Sequence, residues 1–264
     1  MWLITYPVLS TIKTLERAHA GEECYIFGDG QSIQRYDISR FSDRIGIAVA
    51  TFPRHKQAIE LNLRYWVLAE PFLLTPPFTR GGFSSRTNRV RHYRLYRRRE
   101  ADGSRLLRIV HITNLPVELG SRSKYIFEQF PASKHKNQWR SRRDYFSGSV
   151  NSAVSLAIYL GFKRAYLIGF DYTHAPPTTG HWYEKTNHDV IDTGIIEYKR
   201  DYFAWAQKYI ELITVVPTPQ STNLPSVDYE SFTGAKLQYR GHHELATSED
   251  LALLALWPGY EVLD

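Results

Sequence analysis

Cysteine is nearly missing from this chain: Cys24 is the only one among 264 residues. A lone thiol closes no disulfide and builds no cysteine-based zinc site, so neither holds the fold, and a reducing, cytoplasmic setting is expected. Long apolar runs are missing as well. No stretch approaches the roughly eighteen residues that a membrane-spanning helix requires, and the opening MWLITYPVL has no basic leader and is broken at Pro7. A soluble protein without a transmembrane segment is the expectation. The sequence also lacks a G-x-S-x-G elbow, a Walker lysine loop and an HExxH pair, which argues against hydrolase, P-loop kinase and zincin chemistry.

Acidic residues are scarce in one region. Between Arg80 and Arg143 only Glu100, Asp102, Glu118 and Glu128 face 17 of the chain's 33 lysines and arginines, while the whole chain carries a formal charge of +6. A basic face this localised suggests an anionic partner, and a solvated surface segment is the plain alternative. Within it, VRHYRLYRRREADGSRLLRIVHI (Val90–Ile112) places the turn signal ADGS between two extended runs and so predicts a basic β-hairpin. Tyr93 and Tyr96 among arginines would suit nucleic acid, though a basic edge protected from aggregation looks the same, and nucleic acid is the less favoured partner.

The rest of the chain alternates strand and helix signals. Tyr25–Phe27, Ile45–Ala50, Tyr65–Leu68, Ala165–Ile168 and Ile213–Val216 read as strands. Arg54–Leu63, Val150–Leu160 and Ile195–Tyr209 read as helices, with Ser149 as an N-cap and Gly161 as a stop, and Thr218–Phe232 reads as a loop running into a short helix. This order predicts one α/β domain over residues 1–264, built on a doubly wound, mostly parallel, Rossmann-like sheet. The basic hairpin is an insertion at 80–112, and a lid-like loop covers 173–191. Loops starting at Gly28, Thr51, Glu70, Asp171 and Pro217 are expected to converge at the strand C-terminal edge.

Two segments point to a phosphate. The GDGQS loop (Gly28, Asp29, Gly30, Ser32) allows a tight turn, although Ile33 stands where a dinucleotide fingerprint has its third glycine. Ser147, Gly148 and Ser149 open a helix whose unpaired N–H groups and dipole favour an anion. A carboxylate at Asp29, Glu70 or Asp171 beside a phosphate calls for either a ribose hydroxyl or a Mg²⁺ ion between them. Asp171 has a second reading, as a cap on the backbone of the loop that follows it. That loop carries His174, His181 and His188 at intervals of seven, candidates for a general base, with zinc binding disfavoured. Trp182 is read either as a stacking surface for a base or sugar or as a loop anchor.

The segments YIFGDGQSIQRYDISRF and SGSVNSAVSLAIYLGFKRAYLIGFDY resemble the two signatures of a superfamily with three relevant groups. These are the small bacterial CMP-sialic acid sialyltransferases, the motility-associated flagellin glycosyltransferases and the 6-hydroxymethylpterin diphosphokinases. GFDYTHAPPTTGHWYEKTNH further resembles a motif of phage-encoded relatives, and the likeness runs in order over about Glu22–Ser231. The resemblance implies that Gly28, Asp29, Gly30, Ser32, Thr51, Glu70, Ser147, Gly148 and Ser149 bind the nucleotide. It puts Asp29, Thr51 and Glu70 where relatives carry asparagine and Gln31 where they carry proline. It also implies a site made of Asp171, His181 or His188 as base, and Tyr172 or Tyr183 at the departing phosphate. The implied activity is inverting transfer of a nonulosonate sugar from a CMP-activated donor to a hydroxyl acceptor, with no cofactor and with a glycan or other anionic acceptor near the basic segment. Two alternatives stand beside it: Mg²⁺-dependent diphosphoryl transfer from ATP, and a non-catalytic nucleotide or nucleic-acid-binding module.

Overall fold

Short apolar runs such as ECYIF and RAYLI can be buried on both faces of a parallel sheet, and that is where this sequence puts them. The computed structural model describes residues 15–68, 108–112, 124–126, 148–185, 201–219 and 224–255. In these residues eight strands run β1 (Glu23–Phe27), β2 (Ile45–Val49), β3 (Leu63–Leu68), β4 (Arg108–Ile112), β5 (Lys124–Ile126), β6 (Arg164–Ile168), β7 (Glu211–Val216) and β8 (Ser226–Asp228). They form a single sheet in the order β5-β4-β3-β2-β1-β6-β7-β8, and all the pairings are parallel. The chain therefore has the Rossmann-like α/β architecture expected of it.

One expectation is corrected. The end of the anticipated hairpin, Arg108–Ile112, is strand β4, paired in parallel with β3 through Tyr65–Leu68 and with β5 through Lys124–Ile126. With Val110 and His111 held on both edges, no hairpin partner can lie beside them. The run RIVHI is apolar enough for an interior position, and the nearby turn signal masked this. Residues 80–107, with most of the basic segment, lie outside the described residues.

Helix α1 (Gly148–Leu160) begins one residue before Ser149, so that serine occupies the first turn instead of capping it. It is buried nearly all round, because the sheet covers one side and the β6–β7 connection the other. There the Tyr202 hydroxyl donates to the Asn151 backbone carbonyl (2.6 Å) and meets Ser155 Oγ (2.8 Å), which explains the polar residue at 155 by packing. Gly161, at φ +86°, ends it in the left-handed conformation, with Phe162 N–H returning to the Ala157 carbonyl.

The expected helix at Arg54–Leu63 is instead two 3₁₀ turns, Phe52–Arg54 and Lys56–Glu60, separated by an extended His55. The break lets two polar side chains go inward: Arg54 pairs with Asp250 at 2.9 Å, and His55 packs between Phe52 and Trp182.

The strand order reverses between β1 and β6. The connections after β1 and β2 pack Ile33, Phe41, Phe52 and Ala58 on one face, with Tyr25, Phe27 and Trp66. On the other face α1 and the segment carrying Tyr202, Phe203 and Ile210 cover Cys24, Ile26, Val49 and Val67. Chains leaving adjacent strands toward opposite faces open a crevice at their C-terminal ends, the usual place for a ligand in such sheets. None of the helices among the described residues is long and apolar enough to cross a membrane.

Candidate functional site

The crevice between β1 and β6 is stitched together by the glycine loop. Gly28 N–H donates to Ile168 O (2.8 Å) and Gly30 N–H to Gly169 O (2.7 Å). Asp171, on the turn after β6, then takes both donors of Ser32: the backbone N–H at Oδ2 (2.7 Å) and the hydroxyl at Oδ1 (2.5 Å). A Cβ on Gly30 would stand 2.6 Å from the Asp171 carboxyl and 2.7 Å from Gly169 O, and one on Gly28 would be 2.5 Å from that same oxygen. Both glycines are thus required by the approach of β6's exit, and the Gly28, Gly30 and Ser32 N–H groups are held by the protein. Asp171 caps backbone, as one reading of the sequence had it, but on the first glycine loop instead of its own.

Asp29 binds three loops into one unit. Its Oδ2 accepts from Thr51 N–H (2.9 Å) and Thr51 Oγ1–H (2.8 Å), and its Oδ1 accepts from the Trp182 indole N–H (3.2 Å). Trp182 N–H donates to Asp29 O (2.9 Å), and Gln34 donates to Trp182 O (2.8 Å). Desolvation raises the Asp29 carboxyl above its ordinary range, opposed by the charge of His181 and by these donors. Trp182 is fully buried, with its ring edge-on to His55 and Tyr183, so it anchors the loop and offers no face to a ligand.

The anchor fixes its neighbours. His181 forms an antiparallel bridge with Gly30, and its ring stacks on Tyr183 at 5.1 Å. The carboxylate of Glu184, which the sequence reading passed over, accepts both His181 N–H (2.6 Å) and His181 Nδ1–H (2.8 Å). Glu184 is 8 % exposed and His181 34 %. A carboxylate on Nδ1 selects the tautomer in which Nε2 is the basic nitrogen and stabilises the imidazolium formed when that nitrogen takes a proton. Tyr172 belongs to the opposite face, packed against the α1 core and edge-on to Phe170, with its phenol raised well above its ordinary value by burial.

A cavity of about 250 Å³ lies beside Asp171, lined by Ser32, Arg35, His174, Pro176, Thr178, Pro217 and Thr218. The loops expected to meet from Gly28, Thr51, Asp171 and Pro217 do meet; Glu70 lies outside the described residues, as do Ser147 and His188. Gly148 and Ser149 stand at the start of α1, on the opposite face from the Ile33 turn. As placed, Asp29 and Asp171 accept from protein donors, and no group of three or more acids, histidines or cysteines among the described residues is arranged for a metal ion.

No protein-family model and no curated protein sequence matches this chain. Solved structures do. An asparagine-to-alanine variant of the sialyltransferase CST-II in complex with CMP matches with a TM-score of 0.51 at 14% identity, over 89% of this chain and 98% of that one. The CstII sialyltransferase from Campylobacter jejuni in complex with cytidine-5′-monophosphate gives a TM-score of 0.47 at 14% identity, over 89% of this chain and 98% of that one. The MAf glycosyltransferase from Magnetospirillum magneticum AMB-1 gives 0.48 at 13% identity over 91% of this chain, which spans only 38% of that longer protein. At 14% identity the match with a TM-score of 0.51 shows a shared fold alone.

Proposed function

We propose that this protein transfers a nonulosonate sugar from a CMP-activated donor to a hydroxyl acceptor, with inversion and without a metal. The observation that carries this reading is the His181–Glu184 pair, a histidine held in one tautomer on the loop beside the crevice. The acceptor oxygen attacks the anomeric carbon, the bond from that carbon to the phosphate oxygen breaks, and the acceptor's proton passes to His181 Nε2. CMP departs with the bonding electrons. Glu184 holds the ring and stabilises its charge, a form of general-base catalysis worth about 10²–10⁴-fold. The donor phosphate rests against the start of α1 at Gly148 and Ser149, where the helix dipole offsets its charge. Tyr172, which keeps its proton at neutral pH and lies on the α1 face, or Tyr183 is the candidate donor to the departing phosphate, where charge builds. The acceptor is an anionic glycan drawn to the basic segment Arg80–Arg143. The fold shared with a CMP-complexed sialyltransferase supports the choice of donor.

A thermal-shift panel of CMP, CDP, UDP, GDP, ATP and their sugar conjugates tests the site, since a nucleotide at 100 times its Kd adds about 2.7 kcal/mol. Stabilisation by CMP or CMP-sugar and metal-free transfer are expected. Turnover that needs ATP with Mg²⁺ would overturn the reading in favour of a diphosphokinase, and salt-sensitive oligonucleotide binding without turnover would favour a binding module.

A further inference from the structure

The cavity beside Asp171 contains a side chain that the transfer mechanism does not use. His174 is 5 % exposed and forms part of the cavity wall. One ring nitrogen is bonded to the Val215 backbone, and Nε2 is buried without a partner. The only partner a Val215 carbonyl can take is a donor, so Nδ1 carries the proton and Nε2 is an acceptor. A buried acceptor left unpaired is destabilising, and a ligand that supplies an O–H recovers the loss. Burial also holds the imidazole below its usual value, against the opposing charge of Asp171.

The other wall groups narrow the ligand. The Asp171 carboxylate is an acceptor already turned to Ser32, Thr178 and Thr218 bring hydroxyls, and exposed Arg35 stands at the rim as a cation. An inner acceptor, flanking hydroxyls and an outer guanidinium match a polyol that carries a neighbouring anionic group. A ribose phosphate has this pattern, and so does a sugar acid. The volume suits one such ring.

We propose that this cavity is a polyol subsite, in which His174 Nε2 accepts a hydrogen bond from a ligand hydroxyl while Arg35 faces the anionic group of the same ligand. The proposal rests on the carbohydrate-transfer reading for its ligand class, not for its geometry.

The probes are ribose 5-phosphate and N-acetylneuraminic acid, titrated calorimetrically into the parent, His174→Asn and His174→Gln. Asparagine keeps a donor for Val215 and removes the Nε2 acceptor; glutamine restores an oxygen near the Nε2 position. The parent is expected to bind one probe, His174→Asn to lose about 3- to 10-fold in affinity, and His174→Gln to recover most of it. Whichever probe binds assigns the subsite to the nucleotide's ribose or to the transferred sugar. Histidine-selective ¹⁵N spectra should show a neutral Nδ1–H ring whose Nε2 resonance moves on adding that probe. The proposal is overturned if the parent binds neither probe, if all three proteins bind alike, or if both variants lose affinity together with melting temperature. If CMP-sugar transfer is absent while probe binding still depends on His174, the transfer reading fails and the subsite stands. Transfer with an unchanged KM in His174→Asn has the opposite meaning.

Discussion

Asp171 gives both carboxylate oxygens to Ser32, 139 positions away, and so closes the strand-order reversal with one side chain. Because the pair is buried, removing either partner leaves a polar group unsatisfied. Asp171→Asn, which presents an amide to a donor, should cost about 1–3 kcal/mol in urea denaturation, and Ser32→Ala about 0.5–1.5. A double-mutant cycle should show strong coupling between them. Additive losses would mean that the two residues act separately.

The crowding around the glycine loop predicts a contrast. Gly30→Ala puts a methyl 2.6–2.7 Å from the Asp171 carboxyl and the Gly169 carbonyl, one of which is backbone and cannot swing away. A loss of about 1–3 kcal/mol is expected. At Gly241 the nearest atom is the end of Glu244, 3.9 Å away, and alanine there should leave the melting temperature unchanged.

Catalysis should divide between base and orienter. His181→Ala is expected to lower kcat for CMP-sugar transfer by at least about 100-fold, and Glu184→Gln by at least about 10-fold with a shifted pH profile. Neither should greatly change donor affinity. Wild-type rates in His181→Ala would remove this histidine from the reaction.

His55 sets a pH dependence. Burial lowers its pKa from 6.5 to about 3, and the charge of Arg240 adds to this. The unfolded histidine takes up a proton below about 6.5 while the folded one does not. Stability is therefore fully present above pH 6.5 and falls as pH drops, by up to about 1.4 kcal/mol per pH unit. His55 Nδ1 caps the following turn by accepting from Gln57 N–H at 3.2 Å, a role that asparagine can take over. In His55→Asn the decline between pH 6.5 and 5, followed by chemical denaturation, should be shallower. An identical slope would place the acid sensitivity elsewhere.

The strands that flank the crevice could be read from the chain because burial on both faces leaves them as unbroken apolar runs, as in AYLI before Gly169. RIVHI was as apolar, but the arginines and ADGS before it gave a stronger local signal than the sheet, which pairs residues far apart in sequence. Asp171 was marked as a site residue, yet nothing local names Ser32 as its partner. Glu184 left one usable trace, its place three residues after His181 in HWYE, the spacing at which a turn brings a carboxylate back to a ring. Spacing alone did not distinguish the three histidines at intervals of seven, and the resemblance favoured His181 or His188. Only packing separates the cavity wall at His174 from the half-buried ring of His181.

Trp182 is sunk completely, and its amide, carbonyl and indole are all tied to the β1 side of the sheet. The histidine next to it is therefore carried by the core, as a tool is held by a vice. The Trp182 amide, bonded to Asp29 O, should exchange with solvent only when the glycine loop after β1 opens, so hydrogen exchange at residue 182 should be as slow as at Ile26. Variation that retunes the ligand held beside Asp171 without disturbing the base is best introduced away from this clamp, in the stretch Pro176–Thr179 before it.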